Sequence, residues 1–170
     1  MILEWSPQYE LGVSRMDATH QEFVDCVNAL HGATDDKMLA AMDALLAHTV
    51  SHFEQENRWM ELLAFPPAHC HVPEHEGILQ ITREVRGMIV EGKFEIGRVL
   101  AKELAPWFVN HAATMDNMLA AFIQARGYNP DIPFENQKLN INNNIPSSAT
   151  CASADCNANV PASETAAQES

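Results

Sequence analysis

Five histidines and two carboxylates fall at spacings that direct them toward one place. His52 and Glu56 are four residues apart, as are His71 and His75, and side chains four apart lie on one face of a helix. His111 is followed five residues later by Asp116, and His20 stands by itself just before Phe23 and Val24. Imidazole with carboxylate suits iron, copper or zinc, and the lack of cysteine among these positions disfavours a structural zinc site. A lone histidine on an apolar face is usually a hydrogen-bonded core residue. Seven converging polar groups are another matter, because each one buried without a partner costs on the order of several kcal/mol. A shared metal centre is the economical way to offset that cost.

Four helices are needed to carry these residues, and apolar positions recurring every three or four residues predict them. The first runs from about Asp17, a possible cap, to Leu30, with Phe23, Val24, Val27 and Leu30 inward. The second covers about Asp36 to Leu63, with Met42, Leu45, Thr49, His52, Glu56, Trp59 and Leu63 on one stripe, ended by Pro66-Pro67. The third spans roughly Pro73 to Glu91, with room to begin a turn earlier, and turns Ile78, Leu79, Thr82, Val85 and Ile89 inward. The fourth covers about Glu95 to Arg126 and is stopped by Gly127 and Pro130. Pro106 lies inside it and predicts a kink or break near Lys102 to Pro106. Short connections between helices of this length predict an all-α fold, an antiparallel four-helix bundle.

Composition narrows the function. The chain has 170 residues, enough for one cored domain, and a formal charge of −13 with only ten Lys and Arg, which argues against nucleic acid. No stretch reaches the roughly 18 apolar residues of a membrane span. The first residues lack the basic and apolar regions of a signal peptide, so cytoplasmic residence is expected. Cys26, Cys70, Cys151 and Cys156 match no zinc or disulfide framework. Residues 1–130 are read as the bundle and 131–170 as a low-complexity tail, expected to be disordered, with Ile132 to Phe134 able to pack on the bundle.

The segments Asp17-Ala18-Thr19-His20-Gln21, His52-Phe53-Glu54-Gln55-Glu56, His71-Val72-Pro73-Glu74-His75 and Trp107-Phe108-Val109-Asn110-His111 through Asp116 resemble the hemerythrin signature. That signature is an isolated His, then H-x3-E, H-x3-H and H-x4-D, in this order. The resemblance covers about residues 3–128 and is nearest to single-domain bacterial hemerythrins. It implies two non-haem iron ions per chain, oxo- or hydroxo-bridged. His71, His75 and His111 would ligate one iron, His20 and His52 the other, with Glu56 and Asp116 bridging. The three-histidine iron is then coordinatively full, and the two-histidine iron keeps one position open for dioxygen. The function implied is reversible dioxygen binding for storage, transport or delivery, by a protein that is not an enzyme and is favoured to be a monomer.

Some positions carry weaker readings. A spacing of five sets Asp116 well around an α-helix from His111, so either the carboxylate reaches sideways or a π-type turn opens there. His48 mimics an i,i+4 partner of His52, and it is read, with His31 and His69, as surface or supporting. Phe23, Trp59, Trp107, Phe108, Met115 and Phe122 are expected to wall the site as well as fill the core. The rival functions are an oxygen, redox or iron sensor and a di-iron oxidase or peroxidase. Bundle di-iron enzymes use Glu-x-x-His pairs, and none occurs in this chain.

Overall fold

A computed structural model describes residues 1–140. The chain forms α1 (Ser14–Gly32), α2 (Asp35–Leu63), α3 (Ala68–Val90), α4 (Phe94–His111) and α5 (Asn117–Arg126), with a π turn at Ala112–Asp116 joining the last two into one rod. The result is the expected four-helix bundle, in which α1 packs on α2 and α4, and α3 on α2 and α4. Among the described residues no helix is long and apolar enough to cross a membrane.

The helix limits follow from local chemistry. α1 begins a turn before Asp17, so Asp17 is not its cap. Instead its carboxylate accepts the backbone N–H groups of Leu11 (2.6 Å) and Gly12 (3.2 Å), ahead of the helix. There its negative charge also favours the positive end of the helix dipole. Ala64 ends α2 in the left-handed conformation ahead of the two prolines, and Gly127 ends α5 in the same conformation, with φ 64°, which glycine adopts without a Cβ penalty. α3 starts at Ala68, so both His71 and His75 lie within it, with Pro73 tolerated near its start. α4 continues unbroken through Pro106, contrary to the expected break. Pro106 and Lys102 are both exposed, so the carbonyl that the proline leaves unpaired lies on the solvent side, where water can satisfy it.

The inward stripes on α1 and α2 are those read from the periodicity, every member being buried. They sort into two apolar clusters. Phe23, Val27, Leu45, Ile89, Leu104 and Phe108 belong to one, and Met16, Trp59, Leu63, Leu119 and Ile123 to the other. Along α1 the order is Met16, His20, Phe23; along α2 it is Leu45, His52, Glu56, Trp59. The polar residues thus form a layer between two apolar ones. Near the α3–α4 connection the packing is tightest at Gly97, where a Cβ would lie 2.7 Å from Met38 Sδ.

Two segments outside the helices are fixed to the bundle. Asn28 accepts the N–H groups of Ile2 and Leu3 and donates to the Leu3 carbonyl, which docks the N-terminal arm on α1. At the other end, Phe134 packs against Tyr128, Leu139 reaches the second apolar cluster, and the Asn140 N–H donates to the Arg126 carbonyl. The packing expected for Ile132 to Phe134 is thus partial, since both residues remain exposed, and the firmer attachment comes from Leu139 and Asn140. The disorder expected of the tail beyond it lies outside the described residues.

Candidate metal centre

Each rod of the bundle contributes to one buried polar cluster. α1 supplies His20, α2 His52 and Glu56, α3 His71 and His75, α4 its last residue His111, and the π turn its last residue Asp116. All seven are at most 4% exposed. The π turn resolves the five-residue spacing. In an α-helix five residues overshoot a stripe by roughly 140°, whereas the wider turn, with i→i+5 bonding, keeps Asp116 on the side of His111.

The two carboxylates divide the cluster in the same way. Glu56 Oε1 lies 3.1 Å from His52 Nε2 and 3.9 Å from His20 Nε2, while its Oε2 lies 3.4 Å from His75 Nε2 and 3.8 Å from His71 Nε2. Asp116 Oδ2 is 3.2 Å from His20 Nε2, and its Oδ1 is 3.2 Å from both His71 and His111 Nε2. One oxygen of each carboxylate faces the His20 and His52 side, Glu56 Oε1 meeting both and Asp116 Oδ2 meeting His20, and the other faces two of His71, His75 and His111.

The donor set fits metal cations better than it fits itself. His20 Nε2, Glu56 Oε2 and both Asp116 oxygens are buried without a hydrogen-bond partner, and buried polar atoms of native proteins are rarely left so. The Nε2 atoms of His71 and His75 lie 3.0 and 3.2 Å from that of His111. Adjacent ligands on one cation at about 2.1 Å stand roughly 3 Å apart in octahedral geometry. Glu56, His71, His75, His111 and Asp116 bring one ligand atom each within 4.8 Å of one another, and so do His20, His52 and Glu56.

Electrostatics prepares the carboxylates. Burial and Asp116 push the Glu56 pKa up, but His52 and His75 outweigh them and bring it down to about 2. Burial likewise opposes ionisation of Asp116, yet His111, His20 and His71 hold it well below the usual carboxylate range. Burial dominates at His75 and lowers its pKa to about 4 against the pull of Glu56. Ionised carboxylate and neutral imidazole are the ligating forms. His20 and His111 shift upward, because Asp116 more than offsets their burial, so protons compete with a cation there.

Outer partners aim the rings. The His75 Nδ1–H donates to Asn57 Oδ1 at 3.0 Å, which leaves Nε2 as a lone pair on the cluster. His20 Nδ1 faces the Tyr9 carbonyl at 3.3 Å, delivered by the docked N-terminal arm. Phe53 stacks on His75 with ring centroids 3.9 Å apart, and Trp107, its indole N–H on Glu74, stacks on His111. Such partners fix tautomer and orientation. The sequence reading missed Tyr9, Phe53 and Asn57 in these roles; each acts across helices, which periodicity within one helix does not register.

The expected wall is present in part. Phe23 and Phe108 stack on each other beside His52 and His20, and Trp107 lies near both Phe23 and His111. Trp59 and Phe122 belong to the second apolar cluster instead, and Met115 is only half-buried. His69 is exposed, while His31 and His48 are partly buried; none of the three joins the cluster.

Residues 11–123, which include every candidate ligand, match the family model of the hemerythrin HHE cation-binding domain. The chain is 40% identical over 126 residues to a bacteriohemerythrin of Ralstonia nicotianae, covering 74% of this chain and 92% of the relative. It is 27% identical to a bacteriohemerythrin of Stenotrophomonas maltophilia, over 73% of this chain and 83% of that one. The bacteriohemerythrin of Methylococcus capsulatus is 23% identical, over 73% of this chain and 98% of its own.

Proposed function

Because the chain belongs to the hemerythrin family, we propose that it binds dioxygen reversibly at a centre of two non-haem irons and serves in oxygen storage, transport or delivery. The reading assigns His71, His75 and His111 to one iron, His20 and His52 to the other, and Glu56 and Asp116 to both. The observation that carries it is the division of each carboxylate, one oxygen on the side of His20 and His52 and the other meeting two of His71, His75 and His111. Bound there, a ferrous pair would supply one electron from each metal for the binding of dioxygen. Asn57 and the Tyr9 carbonyl orient the His75 and His20 rings. Phe23 and Phe108 cover the two-histidine side with apolar surface that excludes water. The protein acts as a cytoplasmic binding protein and not as an enzyme.

The test is iron content with absorption spectra cycled between air and an oxygen-free atmosphere. Two irons per chain are expected, nearly colourless when reduced. Near-ultraviolet and visible bands should appear in air and vanish on removal of oxygen without added reductant. His52→Ala and Glu56→Ala should each retain much less iron. Two equivalents of zinc from iron-replete cells would sink the di-iron assignment. Steady consumption of added reductant in air would make the protein an oxidase, and a spectrum that ignores oxygen would end the carrier reading.

A further inference from the structure

His20 and His75 have their outer ring nitrogens held by protein atoms, whereas His52 faces a cleft. Its Nε2 lies against Glu56, so its Nδ1 points away from the cluster, and that atom is buried without a hydrogen-bond partner. The cleft, of about 250 Å³ between α1 and α2, is lined by Arg15, Thr19, Glu22, His48 and Ser51 as well as His52. His48 stands one helical turn before His52, with ring centroids 5.8 Å apart. Its Nε2 is also buried without a partner, while its Nδ1 lies 3.5 Å from Glu22 Oε2.

We propose that a water molecule in this cleft bridges the His52 Nδ1–H to His48 Nε2, making His48 a positioning residue for His52. Two buried ring nitrogens on facing side chains need partners, and the i,i+4 spacing sets both on one helix face. A single water with two hydrogen bonds of roughly 2.8 Å joins atoms about 5 Å apart, and the two ring centroids lie 5.8 Å apart. The cleft is several times larger than the roughly 30 Å³ that one water occupies, and its lining is polar. The Glu22 carboxylate draws the His48 proton to Nδ1 and leaves Nε2 as an acceptor. The water therefore accepts from His52 and donates to His48. This arrangement holds the His52 ring with its Nε2 lone pair on the cluster and raises its basicity as a ligand. The inference rests on the reading of His52 as a metal ligand.

Two measurements test it. The first is the rate at which the reduced, iron-loaded protein loses iron to a ferrous chelator. The second is the solvent exchange of the His52 ring N–H, followed by NMR in protein loaded with diamagnetic zinc. His48→Phe keeps the bulk and removes the acceptor, so iron loss should be about tenfold faster or more, with the His52 N–H exchanging faster. His48→Gln restores an acceptor and should return both to within about twofold of the parent. His48→Ala, with room for additional water, replaces His48→Phe if that variant does not fold, and should show the same two increases. Parent-like values in His48→Phe, or in His48→Ala where that variant stands in for it, overturn the proposal. So does His48→Gln losing iron as fast as the acceptor-free variant, since packing alone would then explain the effect. A parent protein that holds no metal overturns the metal reading itself, before any variant is compared.

Discussion

His111 Nε2 lies 3.2 Å from Asp116 Oδ1, although five residues separate them, because the backbone between them is a π turn. The turn inserts one residue more than an α-helix would use, and α5 still presents Leu119, Phe122 and Ile123 to the core beyond it. The Thr114 hydroxyl donates to the Asn110 carbonyl within this widened stretch.

A one-residue deletion is therefore expected to be tolerated here. Removing Ala113, which is exposed, converts the turn to α geometry with the carboxylate four residues after His111, on the same face. Iron content should stay above half of the parent's. The same deletion at Glu54, between His52 and Glu56, should abolish metal retention. Iron analysis of the two proteins decides it: equal loss in both would mean that the π turn itself is required.

Stripping the metal should loosen the bundle. A ligand present at a thousand times its dissociation constant adds about 4 kcal/mol to the folded state, and each kcal/mol moves the melting temperature by roughly 2–4 °C at this size. Iron-free protein is expected to melt about 10 °C lower by calorimetry. Superimposable curves would argue against a buried metal site.

Two truncations should separate packing from function. Ending the chain after Asn140 should change neither iron content nor melting temperature, because every candidate ligand precedes residue 117. Ending it after Pro130 removes Leu139 from the second cluster and the Asn140 bond to Arg126, at a cost of about 1–3 kcal/mol. Oxygen binding should survive that cut. Loss of the iron centre in either protein would contradict an independent bundle at 1–130.

Phe108 meets His20 edge-on at 5.3 Å and is buried. Phe108→Tyr brings a hydroxyl to the two-histidine side and should speed autoxidation several-fold, with iron content unchanged. The decay of the air-exposed spectrum measures it. An unchanged decay would show that water is excluded by other residues.

The sequence by itself determined the two i,i+4 ligand pairs and the four helices, because these depend on a periodicity internal to each helix, while the division of the ligands between two irons was implied by the family resemblance. His52 with Glu56 and His71 with His75 share a face in any α-helix, whatever packs against it. The apolar stripes on α1 and α2 and the Gly127 and Pro66-Pro67 stops are equally local. Tertiary structure decided the rest. It chose a π turn over a sideways reach at Asp116, and it kept α4 unbroken at Pro106 by turning the unpaired carbonyl to solvent. It also set which carboxylate oxygen faces which histidines, supplied Asn57 and the Tyr9 carbonyl as outer partners, and folded residues 131–140 back on the bundle. These outcomes depend on contacts between segments far apart in the chain, and a backbone carbonyl such as that of Tyr9 looks the same in every residue type.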